Sequence, residues 1–136
     1  MKLALCESKK ALPECLPNPP VGCVLIRDGV TVSVGHTRAP GKCHAEADAL
    51  ANYSGPLSEL TAYVTLEPCS FHGRTPACAD ALIAHGIECV VVALIDPDPR
   101  NNGRGLEKLR QAGIEVIEGV CEEEASEILG VYLSNS

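Results

Sequence analysis

The chain has 136 residues, 46% of them hydrophobic, which is enough to bury a sheet and a layer of helices in one domain. A net charge of −7 argues against a polynucleotide partner, because non-specific affinity for nucleic acid depends on Lys and Arg that neutralise phosphates. No apolar run approaches the length of a membrane span, and Glu7, Lys9 and Lys10 interrupt the N-terminus, so we expect no membrane association and a cytoplasmic location.

The first half of the chain contains one amphipathic helical pattern, two strand-like runs, a second helix and a third strand. A short helix is predicted over residues 1–12, ended by the proline-rich stretch that follows. The β-branched runs 21–26 and 30–34 are separated by a short turn sequence that predicts a hairpin. A helix is predicted over residues 45–53 and a strand over 62–66.

The second half alternates helix and strand regularly. A helix is predicted from an N-cap at Thr75 to a C-terminal cap at Gly86, because Thr and Pro are typical of helix starts and Gly of helix ends. Further elements follow: strand 89–95, helix 106–112, strand 114–118 and helix 122–133. This order predicts parallel pairing with right-handed crossovers, and therefore an α/β fold with a mixed sheet and helices on its faces.

Three residues of the types that bind zinc occur with spacing typical of a catalytic site. They are His44, Cys69 and Cys78. Zinc with three protein ligands keeps its fourth position for water, and such a metal generates hydroxide near neutral pH. Glu46, two residues after the histidine, is the group that could transfer protons between this hydroxide and a leaving amine. We therefore predict one zinc ion per chain and a hydrolytic deaminase.

The alternative is a structural zinc site closed by a fourth ligand from the remaining cysteines. Cys43 directly precedes His44 and is expected near the metal, as a bystander rather than a ligand. Cys23 and Cys89 lie in apolar runs and are expected in the core. The other three cysteines carry no ligand spacing, and a disulfide scaffold is not expected in a chain with long apolar strands.

His44 and Glu46 cannot share a face within the body of a helix, because residues two apart point in different directions. They can converge only at a helix N-terminus directed at the metal, and the preceding loop of residues 39–42 permits such a start. Cys78 is expected in the first turn of its helix, where free N–H groups favour a thiolate.

Three arginines, Arg74, Arg100 and Arg104, lie in loops beside the expected site. They could form a local patch for a small anionic ligand despite the acidic charge of the chain, and a guanidinium can pair bidentately with phosphate. The Gly-Arg-Gly sequence at 103–105, just before a helix, is a second possible anion site.

The sequence VTLEPCSFHGRTPAC at residues 64–78 resembles the deaminase domain of the bifunctional riboflavin-biosynthesis deaminase/reductase, within the cytidine deaminase superfamily. The similarity extends to PNPPVG at 17–22, HAE at 44–46 and DPDP at 96–99, and covers nearly the whole chain. Most superfamily members space these cysteines Pro-Cys-x-x-Cys, whereas this family has a longer loop between them, as here. The resemblance implies a single CMP/dCMP-type deaminase domain over residues 1–136, with the three-layer cytidine-deaminase-like fold and a mixed five-stranded sheet.

The resemblance implies deamination of a ribosylamino-diaminopyrimidinone 5′-phosphate in riboflavin biosynthesis, with release of ammonia. Asn18, Arg74, Asp96 and Asp98 match family positions that contact base, ribose or phosphate. We expect a small phosphorylated pyrimidine as ligand and a homo-oligomer, dimer or larger. Family members usually carry a reductase domain, and because this chain stops at Ser136 a separate protein is expected to reduce the ribose.

The chain departs from the family pattern at three places. A family histidine upstream of the zinc ligand corresponds either to His36, with one inserted residue, or to Thr37. Asp98 replaces a residue that is most often Asn, and because its carboxylate would repel a phosphate, it is expected to bond a ribose hydroxyl or the base. Asn101 and Asn102 replace residues that are commonly apolar.

Because of these departures from the family pattern, two other interpretations of the function remain open. One is a paralogous deaminase that acts on a related aminopyrimidine, a pterin or a nucleoside in another pathway. The other is a non-catalytic zinc-binding module, against which Glu46 argues because a structural zinc has no use for that carboxylate. Only 3% of the residues are aromatic, which provides little stacking surface for single-stranded nucleic acid.

Overall fold

The computed structural model describes residues 1–56, 58–70 and 77–133, and these ranges contain five strands and five α-helices. The helices are α1 (Lys2–Lys9), α2 (Ala45–Ala51), α3 (Cys78–Ala84), α4 (Arg104–Gln111) and α5 (Glu122–Leu129). The strands are β1 (Gly22–Arg27), β2 (Val30–His36), β3 (Leu60–Leu66), β4 (Cys89–Leu94) and β5 (Glu115–Glu118). None of the helices in these ranges is long and apolar enough to cross a membrane.

The strands form one mixed sheet in the order β2-β1-β3-β4-β5. Strand β1 pairs antiparallel with both β2 and β3, whereas β3, β4 and β5 are parallel. The β1–β2 hairpin turns at Asp28 and Gly29, both with positive φ, as the tight turn of a twisted hairpin requires. The predicted hairpin and the predicted parallel order of the later strands are both confirmed.

Helices cover both faces of the sheet. A Cβ on Gly22 would lie 1.9 Å from the carbonyl oxygen of Ala4 in α1, and one on Gly35 would lie 2.4 Å from the backbone nitrogen of Ala49 in α2. Gly22 pairs with His36 and Gly35 pairs with Cys23, so the two glycines face opposite sides of the sheet. Only glycine lets each helix backbone approach so closely, and the result is the predicted three-layer α/β architecture.

The core lies between the sheet and its helices and is centred on the two inner strands. Val64 of β3 and Val90 and Val92 of β4 are fully buried, as are Leu82 of α3 and Leu109 of α4. Each such side chain contributes about 1.5–3 kcal/mol by leaving water. This core fixes the carboxyl ends of β3 and β4 side by side, which is where ligands bind in open α/β sheets.

Several element boundaries differ from the sequence prediction. Helix α1 ends at Lys9 because the backbone then tightens into three-residue turn bonds, such as Ala11 N–H to Ser8 O, before Pro13. Helix α3 begins at Cys78, because Ala77 before it has an extended ψ of 130°, and the predicted N-cap Thr75 lies outside the described residues. Its predicted end is confirmed by the left-handed φ of +71° at Gly86.

Candidate metal centre and its cavity

Three chain segments deliver one metal-binding side chain each to the same point. His44 is the N-cap of α2, with extended backbone at φ −74° and ψ 170°. Cys69 follows β3, and Cys78 is the first residue of α3. Two helices therefore point their N-termini at the cluster, which is the convergence that the spacing of His44 and Glu46 requires.

The three side chains lie at distances that suit a zinc ion. His44 Nδ1 lies 3.2 Å from Cys78 Sγ and 3.9 Å from Cys69 Sγ, and all three ligand atoms lie within 4.8 Å of one another. Zn–N and Zn–S bonds of ordinary length at a tetrahedral angle place nitrogen and sulfur about 3.6 Å apart. The donor set and its spacing therefore fit zinc.

The cluster has three members within the described ranges, and no further cysteine or histidine joins it there. Cys43 is exposed despite its position next to His44. Three ligands leave one coordination position for water or substrate, whereas a structural zinc site has four protein ligands. This arrangement favours the catalytic over the structural interpretation.

The surroundings shift the pKa values of the two cysteines in opposite directions. The backbone N–H of Cys78 donates to Cys69 Sγ at 3.1 Å, as expected at a helix start. Hydrogen bonds from Cys78, and then from His44, lower the pKa of Cys69 to about 4, although burial opposes them. The pKa of Cys78 is raised by its hydrogen bond to Cys69 and by burial. Metal binding must therefore displace a proton from Cys78.

Glu46 lies in the first turn of α2 and is buried beside the metal ligands, with 4% of its surface exposed. Burial, and then the negative charge of Cys69, raise the pKa of this carboxyl group to about 7. A general acid/base is most efficient when its pKa lies near the operating pH. Glu46 is thus suited to accept a proton in one step and donate it in the next.

A small cavity of about 150 Å³ opens onto Glu46, His44 and Cys69, and Asn18 and Asp96 also line it. A second cavity of about 420 Å³ adjoins it, since Pro19 and Asp96 line both. We call the small cavity the inner cavity and the second one the outer cavity. The inner cavity has room for one small ring, and the outer cavity can take a larger polar substituent.

The other predicted substrate residues occupy different places. Asp98 and Arg100 line the outer cavity, where Arg100 Nη2 donates to Asp98 Oδ2 at 2.7 Å and the hydrogen bonds from Arg100 lower the pKa of Asp98. Arg104 lines a third, more open cavity of about 370 Å³ together with Lys108. Arg74 lies outside the described residues.

The structure separates the two candidates for the upstream contact position. Thr37 is buried and lines the inner cavity, and its hydroxyl accepts the N–H of Val21 at 3.0 Å. His36 faces α1, where its Nδ1 lies 2.9 Å from Glu7 Oε2. The structure therefore places Thr37, and not His36, in the lining of the cavity that Glu46 also lines.

Glu67 is a buried residue for which the sequence predicted no role. Its Oε1 accepts the N–H groups of Asp96 at 3.1 Å and Gly103 at 2.9 Å, and its Oε2 accepts that of Leu106 at 3.1 Å. Free N–H groups at the start of α4 do bind an anion, as the Gly-Arg-Gly sequence suggested, but the anion is the chain's own carboxylate. The available signal was an acidic residue at the end of an apolar strand, directly before Pro68.

Comparisons with known proteins agree with this site. The family model described as "Cytidine and deoxycytidylate deaminase zinc-binding region" matches residues 1–94. The chain is 52% identical over 128 residues to riboflavin biosynthesis protein RibD of Aquifex aeolicus, covering 94% of this chain and 36% of that protein. It is 51% identical over 112 residues to RibD of Escherichia coli, covering 82% and 30% respectively.

Among solved structures, the chain is similar to a diaminohydroxyphosphoribosylaminopyrimidine deaminase/5-amino-6-(5-phosphoribosylamino)uracil reductase from Thermotoga maritima. The identity is 43% and the TM-score 0.93, and the match covers 98% of this chain and 39% of that one. This chain thus spans about a third of the length of the relatives that it matches.

Proposed function

The chain belongs to the cytidine and deoxycytidylate deaminase zinc-binding family, and we propose that it deaminates a ribosylamino-diaminopyrimidinone 5′-phosphate in riboflavin biosynthesis. The observation that carries this proposal is the buried Glu46 in a ring-sized cavity beside His44, Cys69 and Cys78. The choice of substrate is supported by similarity to RibD proteins over most of the chain.

Zinc held by His44 Nδ1 and the two Sγ atoms would supply a Lewis acid that makes water nucleophilic near neutral pH. Glu46 accepts a proton from the attacking water through a carboxylate oxygen and passes it to the ring nitrogen. It then transfers the second proton to the departing amine. Water and the amine are consumed, and a ring carbonyl and ammonia are formed.

The residues around the cavities orient the substrate. Asn18 and Asp96 line the inner cavity together with Glu46, and an amide and a carboxylate there can bond the ring nitrogens and amino groups of the pyrimidine. The ribose phosphate extends into the outer cavity, on the side of Asp98 and Arg100. Arg74 is the proposed phosphate anchor from the loop between the two cysteine ligands.

The test is an ammonia-release assay with the purified zinc-loaded protein and the phosphorylated diaminopyrimidinone. Glu46→Gln keeps the size of the side chain and removes the proton shuttle, so turnover should fall by about 10²–10⁴-fold while zinc content and fold are unchanged. Parallel assays with the dephosphorylated compound, dCMP, a pterin and a free nucleoside test the alternative that the chain is a paralogous deaminase with a different substrate.

Two results would contradict the proposal. Turnover of Glu46→Gln within a few-fold of the parent would remove Glu46 from the proton transfers. A zinc-loaded parent that releases ammonia from none of these compounds would favour the non-catalytic zinc-binding module.

A further inference from the structure

Asn101 connects the metal-ligand loop to the wall of the substrate cavity. Its side chain is fully buried, with 0% of its surface exposed. Oδ1 accepts the N–H of Ser70 at 3.1 Å, and Nδ2 donates to the carbonyl oxygen of Pro68 at 3.2 Å. These two residues flank Cys69, so one amide group bonds the backbone on both sides of a metal ligand.

The same amide group also bonds Asp96. Asn101 Nδ2 lies 3.3 Å from Asp96 Oδ2, and the N–H of Asp98 donates to Asp96 Oδ1 at 3.0 Å. Each carboxylate oxygen of Asp96 thus has one fixed donor, which sets the plane of the carboxylate. Asp96 lines both the inner and the outer cavity.

We propose that Asn101 is a positioning residue that holds the Asp96 carboxylate at a fixed position relative to the metal-ligand loop, residues 68–70, for substrate binding. The proposal rests on the deaminase function above. An amide suits this place because it offers an acceptor to Ser70 and donors to Pro68 and Asp96 at once. An apolar side chain of the same size would leave the Ser70 N–H and the Pro68 carbonyl without these partners.

Asn101→Asp is nearly isosteric and replaces the two donor bonds with repulsion between oxygens. Asn101→Leu removes the same bonds without adding charge, and serves as a second variant if the first fails to fold. The matched control is Asn102→Asp, which makes the same chemical change at the next residue, where the side chain is exposed. Asp96→Asn and the double variant Asn101→Asp/Asp96→Asn complete a cycle.

We expect Asn101→Asp to keep its zinc and a kcat within a few-fold of the parent, while KM rises about tenfold or more. Because Asn101 acts through Asp96, the substitution Asp96→Asn should raise KM by a clearly smaller factor in the Asn101→Asp variant than in the parent. Asn101→Leu should show the same reduced cost, and Asn102→Asp should match the parent.

A merely structural Asn101 would give KM losses that multiply in the double variant, and that result would overturn the proposal. Loss of zinc from Asn101→Asp with KM unchanged would also overturn it, since the amide would then support only the metal ligand. These outcomes require an active parent. A parent that is inactive on all the compounds named above refutes the proposed function instead.

Discussion

Glu67→Gln should destabilise the protein strongly although the side chain keeps its size. The Glu67 carboxylate accepts three backbone N–H groups from the segment that begins with Asp96 and ends in the first turn of α4. A glutamine in the best orientation keeps its oxygen on Asp96 and Gly103. Its NH₂ group then faces the N–H of Leu106, which loses its partner.

The magnitude follows from these three bonds. A hydrogen bond to a charged group contributes about 1.5–3 kcal/mol and a neutral one about 0.5–1.5 kcal/mol, so the two retained bonds weaken by about 1 kcal/mol each. A buried N–H without a partner costs about 1–3 kcal/mol more. Part of this loss is returned because a neutral amide is easier to bury than a carboxylate. We expect a net loss of about 3 kcal/mol, or about 12 °C in Tm for a chain of this size.

The assay is thermal and urea unfolding of the zinc-loaded parent and variants at pH 7. Glu127→Gln is the matched control, because Glu127 is exposed on α5 and its substitution should change stability by less than about 0.5 kcal/mol. A Tm of Glu67→Gln within about 3 °C of this control would refute the reasoning. The buried carboxylate would then contribute little to holding the Asp96 segment.

Zinc content should distinguish the metal ligand Cys78 from its exposed neighbour in the metal region, Cys43. Cys78→Ala should hold well below one zinc per chain in elemental analysis and Cys43→Ala should retain it, whereas full retention in Cys78→Ala would exclude Cys78 as a ligand. Stability should depend on acid pH through Glu7, because hydrogen bonds from His36 and Lys10 outweigh the effect of burial and lower its pKa below the ordinary 4.5. This contribution is complete above about pH 4.5 and is lost as the pH falls further, so Glu7→Gln should be less stable than the parent at pH 7. In urea unfolding at a series of pH values, the difference in unfolding free energy between the parent and Glu7→Gln should become smaller below pH 4.5. A difference that stays constant down to pH 3 would contradict this assignment.

The sequence alone predicted the fold class and the metal centre, because both depend on local patterns. Apolar periodicity defined nearly all the elements, and the Asp28-Gly29 pair fixed the hairpin through its backbone preference. His44, Cys69 and Cys78 were identifiable because zinc accepts few ligand types at few spacings. Glu46 was identifiable because its distance from the histidine is part of the same motif.

The tertiary structure decided which side chains face the cavity. Thr37 lies there instead of His36 because neighbouring strand residues point to opposite faces, and the pairing of His36 with Gly22 directs the histidine to α1. Glu67 bonds the N–H of Asp96, 29 residues away in sequence, and Asn101 bonds the N–H of Ser70, 31 residues away. These two partners are backbone N–H groups, which every residue except proline carries, so no residue pattern identifies which ones are bonded. Only the packing of β3, β4 and α4 brings these groups within hydrogen-bond distance.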